Sequence, residues 1–362
     1  MLTHALFFVL GLVALVIGAE LLVRGASRFA LSFGISPLVV GLTVVAFGTS
    51  TPELAVSVGA SLGGNPDLAI GNVVGSNIAN ILLILGISAL ITPLLVNEQI
   101  IRQEIPIMLG ASVLFVVMAL DGTITQLEAG AMFALVIGYT VFLIRQSRSA
   151  SRELSDEFAG EMPADSGWDR HWSVQLGLIV VGLGGLVLGA DWLVGAAVAV
   201  AQAFGVSDLV IGLTVVAIGT SMPEIATSIV AALRGERDIA VGNVVGSNVF
   251  NIFAVIGATG LVSAGGIPVS EAARTLDLWV MLAVALACVP IMMTSNEISR
   301  WEGGVFLGYY AAYTAWLVLS AQNHAIVPAF STAMLSYVMP LTVIALIISL
   351  MRHQMREMAS GG

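Results

Sequence analysis

Apolar runs of about twenty residues, the length that crosses a bilayer, follow one another along almost the whole chain, separated by short polar breaks. They predict eleven spanning helices, near 4–23, 37–62, 67–91, 104–120, 126–145, 173–194, 208–233, 238–262, 276–293, 302–320 and 326–351. The longest polar segment, Arg145 to His171, lies between the fifth and sixth runs and is too short for a folded domain. The expected organisation is therefore a first five-helix unit (1–145), a linker (146–172), a second five-helix unit (173–322), and an added helix with a tail (323–362).

Composition agrees with this pattern. The 362 residues are 58% hydrophobic and 10% charged, against the roughly 25% charged residues of a soluble domain. The fold class is all-α and polytopic, with membrane lipid as the surrounding medium. The net charge of −10 is read as loop and transport-path acid, not as a partner-binding surface. No nucleic-acid partner, protein partner or cofactor is implied, and no motif points to an enzyme. The single Cys288 sits in an apolar run and supports no disulfide framework. The N-terminus lacks the basic region and small-residue cleavage site of a signal peptide, so the first helix is expected to be retained.

All 13 basic residues are arginine, and their placement sets an orientation. With the N-terminus outside, Arg24, Arg28, Arg102, Arg145, Arg148, Arg152, Arg170, Arg234, Arg237, Arg300, Arg352 and Arg356 fall on the inner side. Only Arg274 falls outside. The expected location is the plasma membrane, a bacterial inner membrane, with a cytoplasmic C-terminus.

The chain also repeats itself. From Leu38 to Gly86, 30 of 49 positions are identical to Leu209–Gly257, without a gap and at a constant offset of 171 residues. The match reaches back to Glu20 against Asp191. Five helices per unit is an odd number, so the second copy enters the membrane inverted. Inverted repeats are the architecture of secondary transporters, with the site at the midplane between the halves. The eleventh helix has no counterpart.

The repeat carries costly chemistry. Gly41-Leu-Thr-Val-Val-Ala-Phe-Gly-Thr-Ser-Thr-Pro-Glu53 returns as Gly212-Leu-Thr-Val-Val-Ala-Ile-Gly-Thr-Ser-Met-Pro-Glu224. A carboxylate within a membrane span is expensive and marks a function. Gly48 weakens the helix, Pro52 removes a donor, and Thr51 before it is pushed from helical geometry; Gly219 and Pro223 repeat the glycine and the proline in the copy. A break is expected near Gly48–Thr51, with free carbonyls lining a cavity. Ala46, Thr49, Ser50, Glu53 and Ser57 then share one face. The next helix adds Asn72, Ser76 and Asn80 at four-residue spacing, beside Gly71 and Gly75 for close approach. The second copy has Thr220, Ser221, Ser228, Asn243, Ser247 and Asn251, beside Gly242 and Gly246. Two carboxylates with hydroxyl, amide and carbonyl oxygens, and no His or Cys, suit hard cations: Ca²⁺ with six to eight oxygen ligands, or Na⁺.

The doubled Gly-Thr-Ser-x-Pro-Glu, each followed by Gly-Asn-Val-Val-Gly-Ser-Asn, resembles the α-repeats of the cation/calcium exchanger superfamily, sodium/calcium branch, prokaryotic type. The resemblance covers helices one to ten. It implies Ca²⁺ held by Glu53, Glu224, Thr49 and Thr220. It implies Na⁺ sites on the same four residues together with the Ala46 and Ala217 carbonyls, Ser76 and Ser247. Ser50, Ser221, Asn80 and Asn251 would line the same cavity. Some relatives, including the potassium-dependent branch, have aspartate where this chain has Asn251, so the resemblance leans toward potassium independence. The proton/calcium branch typically carries Gly-Asn-Ala-x-Glu instead. The function implied is Na⁺/Ca²⁺ antiport by alternating access, with sliding or rocking of the first and sixth helices. A Ca²⁺/H⁺ or other cation/H⁺ antiporter is the alternative, and a passive channel a more distant one.

Plainer roles compete at several positions. The two glutamates could be buried neutral carboxyls, and the Asn–Ser–Asn stripes, Asn72 and Asn243 above all, could serve helix–helix hydrogen bonding. Glu20 stands four residues before Arg24, a salt-bridge spacing, so the Glu20/Asp191 pair reads as structural. Trp192 and Trp301 read as interface anchors. The acidic run Glu153, Asp156, Glu157, Glu161 and Asp165 reads as solvated linker.

Overall fold

The structure, a computed structural model, describes residues 2–157, 171–203, 217–293 and 296–345, together with 348 and 351. The first unit comprises α1 (Leu2–Phe33), α2 (Pro37–Thr49), α3 (Thr51–Leu62), α4 (Pro66–Ile91), α5 (Ile100–Ala119) and α6 (Gln126–Glu157). The second comprises α7 (Trp172–Ala203), α8 (Ala217–Thr220), α9 (Met222–Leu233), α10 (Arg237–Val262), α11 (Ala273–Met293) and α12 (Arg300–Ala321), followed by α13 (Val327–Ala345). Among the described residues, nine helices are long and apolar enough to cross a membrane, and the bent pair α2–α3 makes a tenth. The start of the seventh expected span, residues 208–216, lies outside the described residues.

Several helices overrun the apolar cores that predicted them. The first and sixth run to 32 residues each, and α6 continues to Glu157, so residues 146–157 of the expected linker are helical. The remainder of that linker, with Glu161, Asp165 and Arg170, lies outside the described residues, as do Arg352 and Arg356. The fold is nearly all-helical. Its exceptions among the described residues are two antiparallel pairs of two-residue strands, β1 (Leu94–Leu95) with β4 (Glu297–Ile298) and β2 (Thr123–Ile124) with β3 (Ile267–Pro268).

Those pairs, each joining one unit to the other, sort the loops into two faces. One face collects the α1–α2, α4–α5, α9–α10 and α11–α12 loops. There Leu94 pairs with Ile298, and Glu20 of α1 bonds Arg234, with Arg234 Nε donating to Glu20 Oε2 at 2.6 Å. The other face collects the α3–α4, α5–α6 and α10–α11 loops, where Ser61 bonds Ser263 and Gln126 Nε2 reaches the Ser263 carbonyl at 3.0 Å. This is the alternation that an odd number of spans per unit demands. Glu20, expected to serve its own helix, thus ties the two units together.

The pseudo-symmetry extends beyond the ungapped block, at a slightly longer offset. Glu104 accepts Tyr139 Oη–H at 2.7 Å in the first unit, and Asp277 accepts Tyr313 Oη–H at 3.4 Å in the second. Thr125 with Glu128 and Ser299 with Glu302 form matching capping boxes at the starts of α6 and α12.

The core sits on α4 and α10. Every residue of α10 from Ile239 to Val249 is buried. It lies directly against α2: a Cβ placed on Gly246 would fall 2.6 Å from the Leu42 carbonyl oxygen and 2.7 Å from its Cα. Only glycine permits that approach, and it brings the Asn–Ser–Asn face of α10 to the break in α2. The added helix α13 packs on α12 through Tyr309 Oη–Thr342 Oγ1 at 2.6 Å and Trp316 Nε1–Ser331 Oγ at 3.1 Å, with its outer face exposed.

Candidate functional site

The helical path breaks at one residue in each copy. Ser50 has φ −82° and ψ 6°, Ser221 φ −86° and ψ 7°, and the first break bends the span by 42°. The break falls within the expected Gly48–Thr51 stretch, but Thr51 itself is not displaced from helical geometry: it is the first residue of α3, and the serine before it absorbs the turn. Pro52 then falls in the first turn, where its missing N–H costs nothing. Glu53 sits in that same first turn, at the positive end of the half-helix dipole. Glu224 occupies the same place on α9.

The two copies meet by exchanging bonds across the pseudo-twofold axis. Ser50 Oγ donates to Glu224 Oε1 at 3.1 Å, and Ser221 Oγ donates to Glu53 Oε1 at 3.4 Å. Thr49 Oγ1 donates to Asn243 Oδ1 at 3.1 Å, and Thr220 Oγ1 to Asn72 Oδ1 at 3.5 Å. Ser221 Oγ also reaches Ser76 Oγ at 3.5 Å. Thr49, Ser50, Glu53, Ser76, Asn80, Ser221, Glu224, Ser247 and Asn251 are all buried, so the cluster is closed to solvent on both sides.

Some expected ligands are engaged in this conformation. The Ala46 carbonyl accepts the Ser50 N–H at 3.0 Å and the Thr49 hydroxyl at 3.4 Å. Ala217 opens the described part of its span. Asn72 and Asn243 work as braces: Asn72 Nδ2 donates to Ser57 Oγ at 3.0 Å and to the Glu53 carbonyl at 3.2 Å, and Asn243 Nδ2 donates to Ser228 Oγ at 3.0 Å. Each brace receives a threonine hydroxyl from the opposite copy and holds it in place.

What remains is a set of oxygens. Glu53 Oε2, Glu224 Oε2, Asn80 Oδ1, Asn251 Oδ1 and Ser247 Oγ are buried without any hydrogen-bond partner. Buried polar atoms are nearly always paired, and a buried carboxylate oxygen left bare is especially costly. Four of these five are two repeat-matched pairs, so the deficit belongs to the design of the site. Among the described residues no cluster of three or more His, Cys, Asp or Glu side chains occurs. The arrangement thus offers hard oxygen donors with two carboxylates as its only formal charges, which fits Ca²⁺ or Na⁺ chemistry.

Two residues of the site were not singled out from sequence. Asn77 and Asn248, the last residues of the doubled Gly-Asn-Val-Val-Gly-Ser-Asn, each hold the amide of a cavity residue. Asn251 Nδ2 donates to Asn77 Oδ1 at 3.0 Å and Asn80 Nδ2 to Asn248 Oδ1 at 3.4 Å. Their identity in both copies was the available signal. Asn80 and Asn251 also each open a π-helical turn, Asn80–Leu85 and Asn251–Ile256, a widened turn that recurs at functional sites.

Comparison with known proteins gives a consistent picture. A family model described as sodium/calcium exchanger protein matches residues 3–145 and 174–319. A sodium/calcium exchanger of Methanosarcina acetivorans, MaX1, is 36% identical over 340 residues, covering 85% of this chain and 96% of the relative. The inner membrane protein YrbG of Escherichia coli is 36% identical over 317 residues, covering 88% and 97%. A solved structure of the sodium-calcium exchanger NCX_Mj, soaked with Na⁺ and Ca²⁺, superposes with a TM-score of 0.74 at 31% identity, covering 87% of this chain and 98% of that one.

Proposed function

The chain belongs to the sodium/calcium exchanger family, and from that premise we propose that it exchanges Na⁺ for Ca²⁺ across the membrane by alternating access. It is a multi-pass membrane transporter of this family and not an enzyme. In the reading proposed, Ca²⁺ is the ligand of Glu53, Glu224, Thr49 and Thr220. Na⁺ uses those residues together with Ser76, Ser247 and the Ala46 and Ala217 carbonyls, and Ser50, Ser221, Asn80 and Asn251 line the cavity.

The observation that carries this reading is the set of bare buried oxygens at the centre of the fold. They are acceptors that the protein itself leaves unsatisfied, and a cation supplies what they lack. Two carboxylates neutralise one Ca²⁺. Because Na⁺ would draw on the same two carboxylates, the ions compete, and competition at one closed site is the physical basis of exchange. For Na⁺ to enter at Ala46, that carbonyl must release one of the two donors it now holds. Thr49 is the mobile one, since its hydroxyl is shared with Asn243. The relative MaX1, named a sodium/calcium exchanger, supports Na⁺ as the coupling ion.

The arginine bias supports an inner-membrane protein with its N-terminus outside and C-terminus cytoplasmic, and the two-faced sorting of loops fits that ladder. A second reading rests on the same carboxylates: two adjacent buried carboxyls can carry protons, which would make the protein a Ca²⁺/H⁺ antiporter. Counterflow separates them. Vesicles loaded with Na⁺ and diluted into Na⁺-free medium should accumulate ⁴⁵Ca²⁺ above its external concentration. Ca²⁺ accumulation driven by a pH gradient with Na⁺ absent would overturn Na⁺ coupling, and simple equilibration would indicate a channel.

A further inference from the structure

Beyond the ligand set stands a pair of buried relays that end on it. Asn248 Nδ2 donates to the sulfur of Met108 on α5 at 3.5 Å, and Asn248 Oδ1 accepts Asn80 Nδ2 at 3.4 Å. In the matching relay Asn77 Nδ2 donates to the sulfur of Met281 on α11 at 3.7 Å, and to the Asn248 carbonyl at 3.4 Å, while Asn77 Oδ1 accepts Asn251 Nδ2 at 3.0 Å. Each relay crosses between the two units and ends at a bare carboxamide oxygen, Asn80 Oδ1 or Asn251 Oδ1. All four asparagines and both methionines are buried, so no solvent competes for these contacts.

A carboxamide presents an acceptor on one side and a donor on the other, and swapping them costs little unless neighbours decide. A thioether has no proton to give and only weak acceptor strength. Set against a sulfur, Asn248 turns its NH₂ to Met108 and its oxygen to Asn80. Asn80 must then offer its own NH₂ to Asn248, which leaves its oxygen facing the site. In the matching relay the Asn248 backbone carbonyl, which can only accept, already holds the Asn77 NH₂ at 3.4 Å, so Asn77 keeps the same polarity with or without the Met281 sulfur. With the Asn248 and Asn80 amides reversed, an NH₂ group would point at the cations and one of the site's few oxygens would be lost.

We propose that Met108 is a positioning residue that sets the polarity of the Asn248–Asn80 relay, and so aims the Asn80 carboxamide oxygen at the transported ions. Met108 acts through Asn248 and is not itself a ligand. The proposal rests on the reading that this site binds Ca²⁺ and Na⁺.

The test is Met108→Leu in the full-length protein, with Met281→Leu as the matched control, because the Asn248 carbonyl keeps Asn77 oriented without the sulfur. Leucine keeps the volume and removes the acceptor, a swap that cores tolerate. Equilibrium ⁴⁵Ca²⁺ binding to purified protein should weaken roughly 2- to 10-fold in Met108→Leu, the worth of one ordinary hydrogen bond, and stay within twofold of wild type in Met281→Leu. In vesicles the half-saturating Ca²⁺ concentration should rise while the maximal rate stays within twofold. Met118→Leu on the same helix packs against the core without meeting an amide and should leave both unchanged. Binding within twofold of wild type in Met108→Leu overturns the proposal. So does an equal loss in Met118→Leu, or a fall in maximal rate with unchanged half-saturation, because those are packing effects. Wild-type protein that binds neither ion would overturn the functional reading itself, and this proposal with it.

Discussion

Replacing Glu224 by glutamine keeps the shape of the side chain and removes one of the two charges at the site. Glu224 is buried, its Oε1 takes the Ser50 hydroxyl at 3.1 Å, and its Oε2 has no partner. Glutamine can keep the bond from Ser50 through its own oxygen, and it places an NH₂ where the bare oxygen was. The loss thus falls on the ion and not on the hydrogen-bond network around it. Removing one partner of a buried charge pair costs about 3–5 kcal/mol, which corresponds to roughly 10²- to 10⁴-fold weaker Ca²⁺ binding. A ligand at a hundred times its Kd stabilises a protein by about 2.7 kcal/mol, and at a hundredfold weaker affinity the same concentration gives only about 0.4 kcal/mol. Glu224→Gln should therefore lose nearly all Ca²⁺-dependent thermal stabilisation in detergent. Its melting temperature without ions should be unchanged or higher, since an unpaired buried charge is gone. Glu53→Gln should behave alike, because Ser221 holds it in the mirrored position. A Glu224→Gln protein whose Ca²⁺ response stays within twofold of wild type would refute the placement of the ion between these carboxylates.

Other expectations follow from the same geometry. Asn251→Asp adds a third carboxylate to the buried site; the Na⁺ and K⁺ dependence of Ca²⁺ uptake should change, and an unaltered profile would make this position a bystander. Gly246→Ala drives a methyl group into Leu42 at 2.6–2.7 Å and should destabilise the fold by about 1–3 kcal/mol, read as a lower melting temperature; an unchanged value would show that α2 and α10 can part freely. Asn243→Ala frees the Thr49 hydroxyl from its 3.1 Å bond and should weaken ion binding while the protein still inserts; full affinity would show the brace to be dispensable. A reporter fused after Arg356 should read cytoplasmic, and an external signal would break the eleven-helix ladder.

Much of this was legible in the chain because duplication makes a costly pattern visible twice. Glu53 and Glu224, the hydroxyls before them and the Asn–Ser–Asn stripes stand at one fixed offset, and the structure brings them into one closed cluster. What stayed hidden was long-range or chemically quiet. Glu20 has an arginine at helical spacing, so its bond to Arg234 in the other unit carries no local signal. Met108 and Met281 look like core filler, and the offset between the copies has lengthened by the time it reaches them. The break at Ser50 falls within the expected Gly48–Thr51 stretch; the displacement expected of Thr51 itself does not occur, because that residue opens the first turn of α3. Helix ends were underestimated where polar residues such as Arg24 and Arg28 continue a helix past the apolar stretch.

The central claim is tested most directly by ⁴⁵Ca²⁺ uptake into proteoliposomes of the purified protein, with outward Na⁺, K⁺ and H⁺ gradients imposed one at a time. The account predicts concentrative Ca²⁺ uptake with the Na⁺ gradient, lost in Glu53→Gln and Glu224→Gln, and none with K⁺ or H⁺ alone. Equal uptake under the H⁺ gradient without Na⁺, or uptake that survives both glutamine substitutions, would contradict it.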